Sequence, residues 1–442
     1  MSEIAGAETA RSPSFADLVR VFARIGVLSF GGPAGQIALM HRELVEERKW
    51  LDEPRFLHAL NYCMLLPGPE AMQLATYAGW LLHGVKGGLA AGLLFLLPGA
   101  AVLMLLSTVY LVFGHVDLVQ GLLFGLKAAV LAVVIEALIK VSRRALKGGQ
   151  MVMIAIVSFI GIALLKLPFP VIIVAAALAG VALNAMNGNS QPSLNPDPAP
   201  VPDWAQPSLS RLASTLALWL ALWFGPLLLL HWTLGSGNVF AREASFFSAM
   251  AAVTFGGAYA VLSWVAQQAV EVHAWLRPDE MLTGLGLAET TPGPLILVLL
   301  FVGFLGGARQ SGLDPLLGGI AGGMTALWFT FVPSFLWIFV GAPYVEKVRG
   351  IAWLATALAA VSAAVVGIIA NLSLWFALHV LFGTVGQAAL GPFELPVPDL
   401  ASFAPAAAAI ALGAGIALLW LHVNMIAVLG LAMMAGICVT LL

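Results

Sequence analysis

The apolar positions of this chain fall in long blocks, not in alternation. Residues 89–113, 151–165 and 351–370 are nearly unbroken apolar runs, close to or at the length of a bilayer-crossing helix. Barrel strands would alternate over about ten residues, and these blocks do not. The pattern predicts a first apolar segment at 15–40, interrupted at Phe30-Gly31-Gly32-Pro33, and another at 56–84, interrupted at Pro67-Gly68-Pro69. Spans follow near 87–113, 119–142, 149–166 and 169–186, and an extra one near 209–233. The rest lie at 244–272, 279–305, 315–342, 350–380, 404–421 and 422–442. Residues 41–55 are the most charged stretch, where Asp52 ahead of Pro54 reads as a helix start.

Two copies of one pattern organise these segments. Phe30-Gly31-Gly32, Trp50-Leu51 and Pro67-Gly68-Pro69 recur as Phe255-Gly256-Gly257, Trp275-Leu276 and Pro292-Gly293-Pro294, each 225 residues later (255−30, 275−50, 292−67). Beyond an insertion around 306–317, Pro98 matches Pro333 and Lys127 matches Ser362, both at 235 (333−98, 362−127). Near the ends, the stretch from Ala163 resembles the one from Ala417. The expected organisation is a polar tail at 1–14, a first transport repeat at 15–186, a flexible Pro/Ser/Asn-rich linker at 187–208, a connecting helix at 209–233 and a second repeat at 244–442.

Composition settles the class. The chain is 61% hydrophobic and 10% charged, against about 25% charged in soluble domains. The expectation is an all-α integral membrane protein with the lipid bilayer as its surroundings. A net charge of −2 offers nothing to nucleic acid. Cys63 and Cys438 sit in apolar runs and read as small buried residues. No signal peptide is visible, since the first apolar stretch carries Arg20 and Arg24. No phosphate loop, Gly-x-Ser-x-Gly, Cys-x-x-Cys or His-Glu-x-x-His occurs, so no cofactor, metal or enzyme chemistry is expected.

The second copy begins seven segments after the first, which would turn it upside down. Inverted repeats with broken helices mark secondary transporters. If the motif-bearing segments dip in and return, fifteen of the twenty Lys+Arg lie on the side of the N-terminus and four opposite. If they cross fully, the split is twelve against seven. The positive-inside rule favours the re-entrant arrangement and a cytoplasmic N-terminus. Sequence leaves both open: nine spans with four dips, or thirteen spans.

Proline inside a membrane helix ends one half-helix and starts another. The new half-helix presents its first N–H groups, a natural anion site. That makes Gly68 and Gly293 candidate ligand residues, while the Phe-Gly-Gly glycines Gly31, Gly32, Gly256 and Gly257 permit either close approach or simple packing. Gln73, Thr76, Tyr77, Thr290 and Thr291 offer side-chain donors. Buried charges in membranes are costly and mostly functional. Lys127 either attracts an anion or is structural. Glu70 suits the dipole of the half-helix it begins, or serves as a proton-coupling or gating carboxylate. Glu136, Glu289 and Arg24 complete the coupling or gating candidates. Lys127 and Glu136 are too far apart along one helix to pair.

Phe30-Gly-Gly-Pro33, Trp50-Leu51, Leu66-Pro-Gly-Pro-Glu70, Gln73-Leu74, Gly79-Trp80, Thr254-Phe-Gly-Gly257 and Thr291-Pro-Gly-Pro294 together resemble the chromate ion transporter (CHR) family, in its long form with two homologous halves. The resemblance implies chromate efflux by secondary transport, driven by membrane potential or a proton gradient. It also implies chromate resistance and a place in the bacterial inner (plasma) membrane. Sulfate has nearly the shape and charge of chromate, so a sulfate or other oxyanion transporter stays open, as do an anion channel and an intramembrane enzyme. A homodimer is an allowed assembly. The copies differ: Ala258 stands where the first has Pro33, and Leu295 where it has Glu70.

Overall fold

The computed structural model describes residues 13–187, 208–255, 257–344, 352–390 and 393–441. Residues 188–207 of the expected 187–208 linker and most of the 1–14 tail lie outside the described residues. Six described helices are long and apolar enough to cross a membrane. They include 85–113 within α4 (Glu70–Phe113), α5 (Asp117–Ala145), α7 (Phe169–Asn187) and the connecting helix α8 (Leu209–Leu234). α13 (Pro315–Gly341) and α14 (Ala352–Leu381) complete the six. α6 (Gly149–Ala163), α15 (Pro405–Leu419) and α16 (Met425–Leu441) are shorter apolar helices.

The motif segments are broken helices. α1 (Phe15–Leu28) starts under a Ser14 cap and stops before Phe30-Gly-Gly. There Gly31 and Gly32 take φ of 88° and 72°, a left-handed bend that glycine adopts freely, and α2 (Gly32–His41) begins. α3 (Glu53–Cys63) starts where expected: Asp52 accepts from the Arg55 N–H at 2.8 Å. It ends before Pro-Gly-Pro, and α4 sets out at Glu70. α4 reverses at non-helical His83 and Gly84, so 70–82 and 85–113 are two arms. The second copy repeats this with α9 (Val239–Val253), α10 (Ala258–Ala266), α11 (Pro278–Thr290), α12 (Val298–Gln310) and α13. Its reversal is the longer Ser311–Asp314 loop, which lies within the insertion.

The duplication reaches into backbone detail. π-helical turns follow α2 at Arg42–Glu47 and α10 at Gln267–Val272. Lys49 and Ala274, 225 apart (274−49), share an unusual positive φ of 52° and 51°. The N–H groups of Trp50 and Leu51 donate to Leu44, and those of Trp275 and Leu276 to Ala269. The last hairpins repeat at 256, since α6 and α15 start at Gly149 and Pro405, and Lys166 and His422 share φ near 50°. That register is two residues off the sequence match of Ala163 with Ala417 (417−163 = 254).

The halves are interlocked. α15 and α16 of the second copy pack on α5 of the first, while α6 and α7 pack on α14. Glycine makes both contacts close: a Cβ on Gly125 would collide with the Ala432 carbonyl, and one on Gly367 with that of Ala155.

Two expectations change. The all-α reading lacks an antiparallel hairpin, β1 (Val385–Leu390) and β2 (Phe393–Pro398), in the gap between α14 and α15. Cys63 is buried as expected, but Cys438 is exposed, on a helix packed along one face only.

Candidate functional site

The four helix breaks meet at one junction, and they meet across the copies. The Gly68 N–H of the first Pro-Gly-Pro donates to the carbonyl of Thr254, just before the second Phe-Gly-Gly, at 2.8 Å. The Gly293 N–H of the second donates to Ser29, just before the first Phe-Gly-Gly, also at 2.8 Å. Donors and acceptors are both 225 apart (293−68, 254−29). The two glycines take φ of 124° and 95°, which aims each N–H at its partner. The bonds also satisfy carbonyls that α1 and α9 leave open at their C-termini.

Both long helices brace this junction beside their prolines, Pro98 and Pro333. A Cβ on Gly68 would lie 2.7 Å from Ser334 Oγ on α13, and one on Gly99 of α4 would collide with the Pro292 carbonyl. Buried Gln36 donates to the Gly293 carbonyl at 2.5 Å, and buried Gln73 to the Pro67 carbonyl at 2.7 Å. Each amide oxygen is left without a partner.

At this junction four helices start: α2, the 70–82 arm of α4, α10, and the 3-10 turn Leu295–Leu297 leading into α12. Their first-turn N–H groups have no partner within their own helices, and their dipoles point positive ends inward. Gly31 and Gly32 border open space, with no atom within 4 Å of an added Cβ. At Gly257 only Glu70 Oε1 comes near, at 3.8 Å. Gly256 lies outside the described residues.

The remaining candidates are placed as follows. Glu70 begins its half-helix, faces the second copy's Gly257 and lies within electrostatic reach of Arg144. Glu289, 4% exposed, accepts from the Tyr259 hydroxyl. Glu136 pairs with Lys140 at 2.6 Å, and both act electrostatically on Glu289. Thr76, Thr290 and Thr291 donate their hydroxyl protons to carbonyls of their own helices, at 2.8–2.9 Å. That back-bonding is habitual for threonine in helices, and leaves their lone pairs, not their protons, for a ligand. Tyr77 is buried between Tyr62 and Trp80. Lys127 is not at the junction: its Nζ lies 3.8 Å from Asp279 at the start of α11. Arg24 lies 3.5 Å from buried Glu43, which also holds Arg48. Sequence reading missed Ser29, Gln36, Tyr259 and Ser334 as site residues, and took Thr254 only as part of the family motif. For Ser334 the signal was its place beside Pro333.

The far ends of the arms cluster too. Arg242 at the start of α9 bonds Gln310 at the end of α12, and Gln310 reaches the carbonyls of His273 and Ala274. Arg309 grips Glu280 with both terminal nitrogens and also the Trp275 carbonyl. In the first copy His83 meets the Pro13 carbonyl at 2.8 Å, and His41 meets Glu53 at 2.5 Å. A cavity of about 280 Å³ opens beside α10, lined by Lys166, Ser263, Gln267, Asn371, His379 and Gln387. It lies away from the junction, but Ser263 is one turn from Tyr259.

Apolar crossing helices around paired broken helices define a multi-pass membrane protein of the transporter class. The chain belongs to the chromate transporter family, whose signature matches residues 16–181 and 242–437. It is 31% identical over 359 residues to the chromate transport protein of Pseudomonas aeruginosa, covering 80% of this chain and 79% of that one. It is 26% identical over 362 residues to that of Cupriavidus metallidurans, covering 82% of each. The transporter YwrB of Bacillus subtilis is 33% identical over 157 residues, 35% of this chain but 79% of its own. No solved structure matches.

Proposed function

We propose that this chain exports chromate from the cytoplasm by secondary transport and confers chromate resistance, with the oxyanion bound where the four helix breaks meet. The observation that carries this reading is the reciprocal pair Gly68–Thr254 and Gly293–Ser29. Those bonds bring four positive helix ends to one place and occupy two competing carbonyls. A divalent tetrahedral anion there gains N–H donors from several directions. Open space beside Gly31, Gly32 and Gly257 leaves room for it. Glu70 and Glu289 border the junction and serve as coupling or gating carboxylates.

The inverted arrangement has the same support. In each copy the arms begin and end in one cluster, as His83–Pro13 and Arg242–Gln310 illustrate. The arms of 13–15 residues in α9, α11 and α12 are about 20 Å long at 1.5 Å per residue, and they return to the cluster they leave. They fit dips from opposite faces: the first copy from the cytoplasm, the second from outside. Nine crossing helices then remain. The cavity beside α10 becomes an outer vestibule leading to Tyr259 and Glu289.

Everted vesicles from the bacterial inner membrane test the direction. Labelled chromate should accumulate inside vesicles carrying the chain once a proton gradient is imposed, and sulfate should compete. Accumulation in right-side-out vesicles instead would make the protein an importer. Equilibration without accumulation in either would make it a channel.

A further inference from the structure

We propose that Glu243 is a proton-binding carboxyl that couples movement of the second copy's arms to proton uptake and release. This rests on the transport reading above and adds to it a residue outside the junction. Glu243 lies on α9 with none of its surface exposed, and neither carboxyl oxygen has a hydrogen-bond partner. Opposite stands Gly306 of α12, where an added Cβ would lie 2.6 Å from Glu243 Oε1 and 3.0 Å from Trp275 Cγ. Fully buried Trp275 also keeps its indole N–H unpartnered. An acid and a donor thus lie against one glycine with no bond between them.

Among the described residues no cation bonds this carboxyl. Arg242, next on α9, bonds Gln310 and acts on Glu243 only through its charge. Arg309, the sole titratable residue of α12, is held by Glu280. On α8, His231 bonds Ser236 and Ser245, and Arg211 sits at the opposite end of that helix. α13 carries no titratable residue. Beyond α10, Glu271 is exposed, and His273 stacks on Trp275 with ring centroids 4.4 Å apart. Burial, and then the Arg242 charge, push His273 below the usual histidine range.

A bare carboxylate in such surroundings is strongly disfavoured, so Glu243 is a neutral acid in this arrangement. Ionising it requires water or a closer cation, and parting of α9 from α12 admits either. A group protonated when the arms are together and able to ionise when they part binds protons differently in two states, which is what coupling requires. The first copy has buried Leu18 at this register (243−18 = 225), so the device belongs to the second copy alone.

Two measurements on the purified full chain test this. Infrared difference spectra at neutral pH should show a carboxylic-acid carbonyl band that Glu243→Gln removes and Glu243→Asp shifts. A wild-type spectrum unchanged by Glu243→Gln would overturn the proposal whether or not chromate is the substrate. In proteoliposomes, Glu243→Gln should keep chromate–chromate exchange and lose accumulation driven by an imposed proton gradient. Glu243→Leu, which restores the first copy's residue, should behave alike and shows that the loss is not misfolding. Gradient-driven accumulation retained by both variants would overturn the proposal. Absence of chromate and sulfate flux in the wild type would instead sink the transport reading, leaving the infrared result to decide the proton site.

Discussion

Lys127 shows how far a single residue can be read. A lysine in an apolar run looks like an anion receptor, because burying it unpaired is costly. Its partner lies in the other copy: Asp279, 3.8 Å away, at the start of α11. The pair ties α5 to the arm that ends at the second Pro-Gly-Pro. Lys127→Ala and Asp279→Ala should therefore lower chromate flux to similar extents, and the exchange Lys127→Asp with Asp279→Lys should restore most of it. Flux assays on the three variants check this; a swap as inactive as Lys127→Ala would return the lysine to the ligand. Glu243 was missed for the opposite reason. Beside Arg242 at a helix start it reads as part of a solvated end, and only the packing of Gly306 and Trp275 against it shows otherwise. The junction's key contacts were likewise illegible, since they are backbone bonds between residues 186 and 264 positions apart (254−68, 293−29).

At the scale of elements, the sequence carried more. Phe-Gly-Gly and Pro-Gly-Pro mark helix breaks because glycine and proline act on their own backbone, and each break is found at its motif. The π-helical turns and the positive φ of Lys49 and Ala274 carry no comparable local signature. The hairpin at 385–398 fell between apolar blocks and gave no helical pattern to follow. In the first copy, α2 is latched to α3 by His41, bonded to Glu53 at 2.5 Å and to Glu46 at 3.0 Å. The Glu53 bond, outweighing partial burial, raises the His41 pKa above the usual histidine value, and Glu46 adds to it. A folded-state value above the unfolded one means the latch is fully present below about pH 6.5, and is lost as pH rises through the raised value. The Tm of the detergent-purified chain should fall from pH 6 to pH 8.5 by more in the wild type than in His41→Gln. Because its partners Glu46 and Glu53 are exposed to solvent, the difference should be small, about 0.5 kcal/mol or less. Equal pH slopes would remove the latch.

For the whole molecule, the interlock of the two halves decides what can be separated. α5 is covered by 405–441 and α14 by 149–187, so each half lends its last hairpin to the other. Residues 1–187 and 209–442 expressed as separate chains should be unstable alone and should copurify when coexpressed. Independent, monodisperse halves would contradict the exchange. Half-length relatives such as YwrB fit a history in which two such units were joined. The copies have since diverged where chemistry is asymmetric. Glu70 matches Leu295 in register, and Glu243 matches Leu18, so the two copies carry different carboxylates.

Counterflow by the purified chain tests the central claim most directly, because it needs no other protein and no imposed proton gradient. Proteoliposomes loaded with unlabelled chromate are diluted into a trace of labelled chromate. A carrier that alternates access at one junction predicts a transient rise of internal label above its equilibrium level, abolished when sulfate fills the site. Label that only climbs to equilibrium, or does not enter at all, would contradict the account.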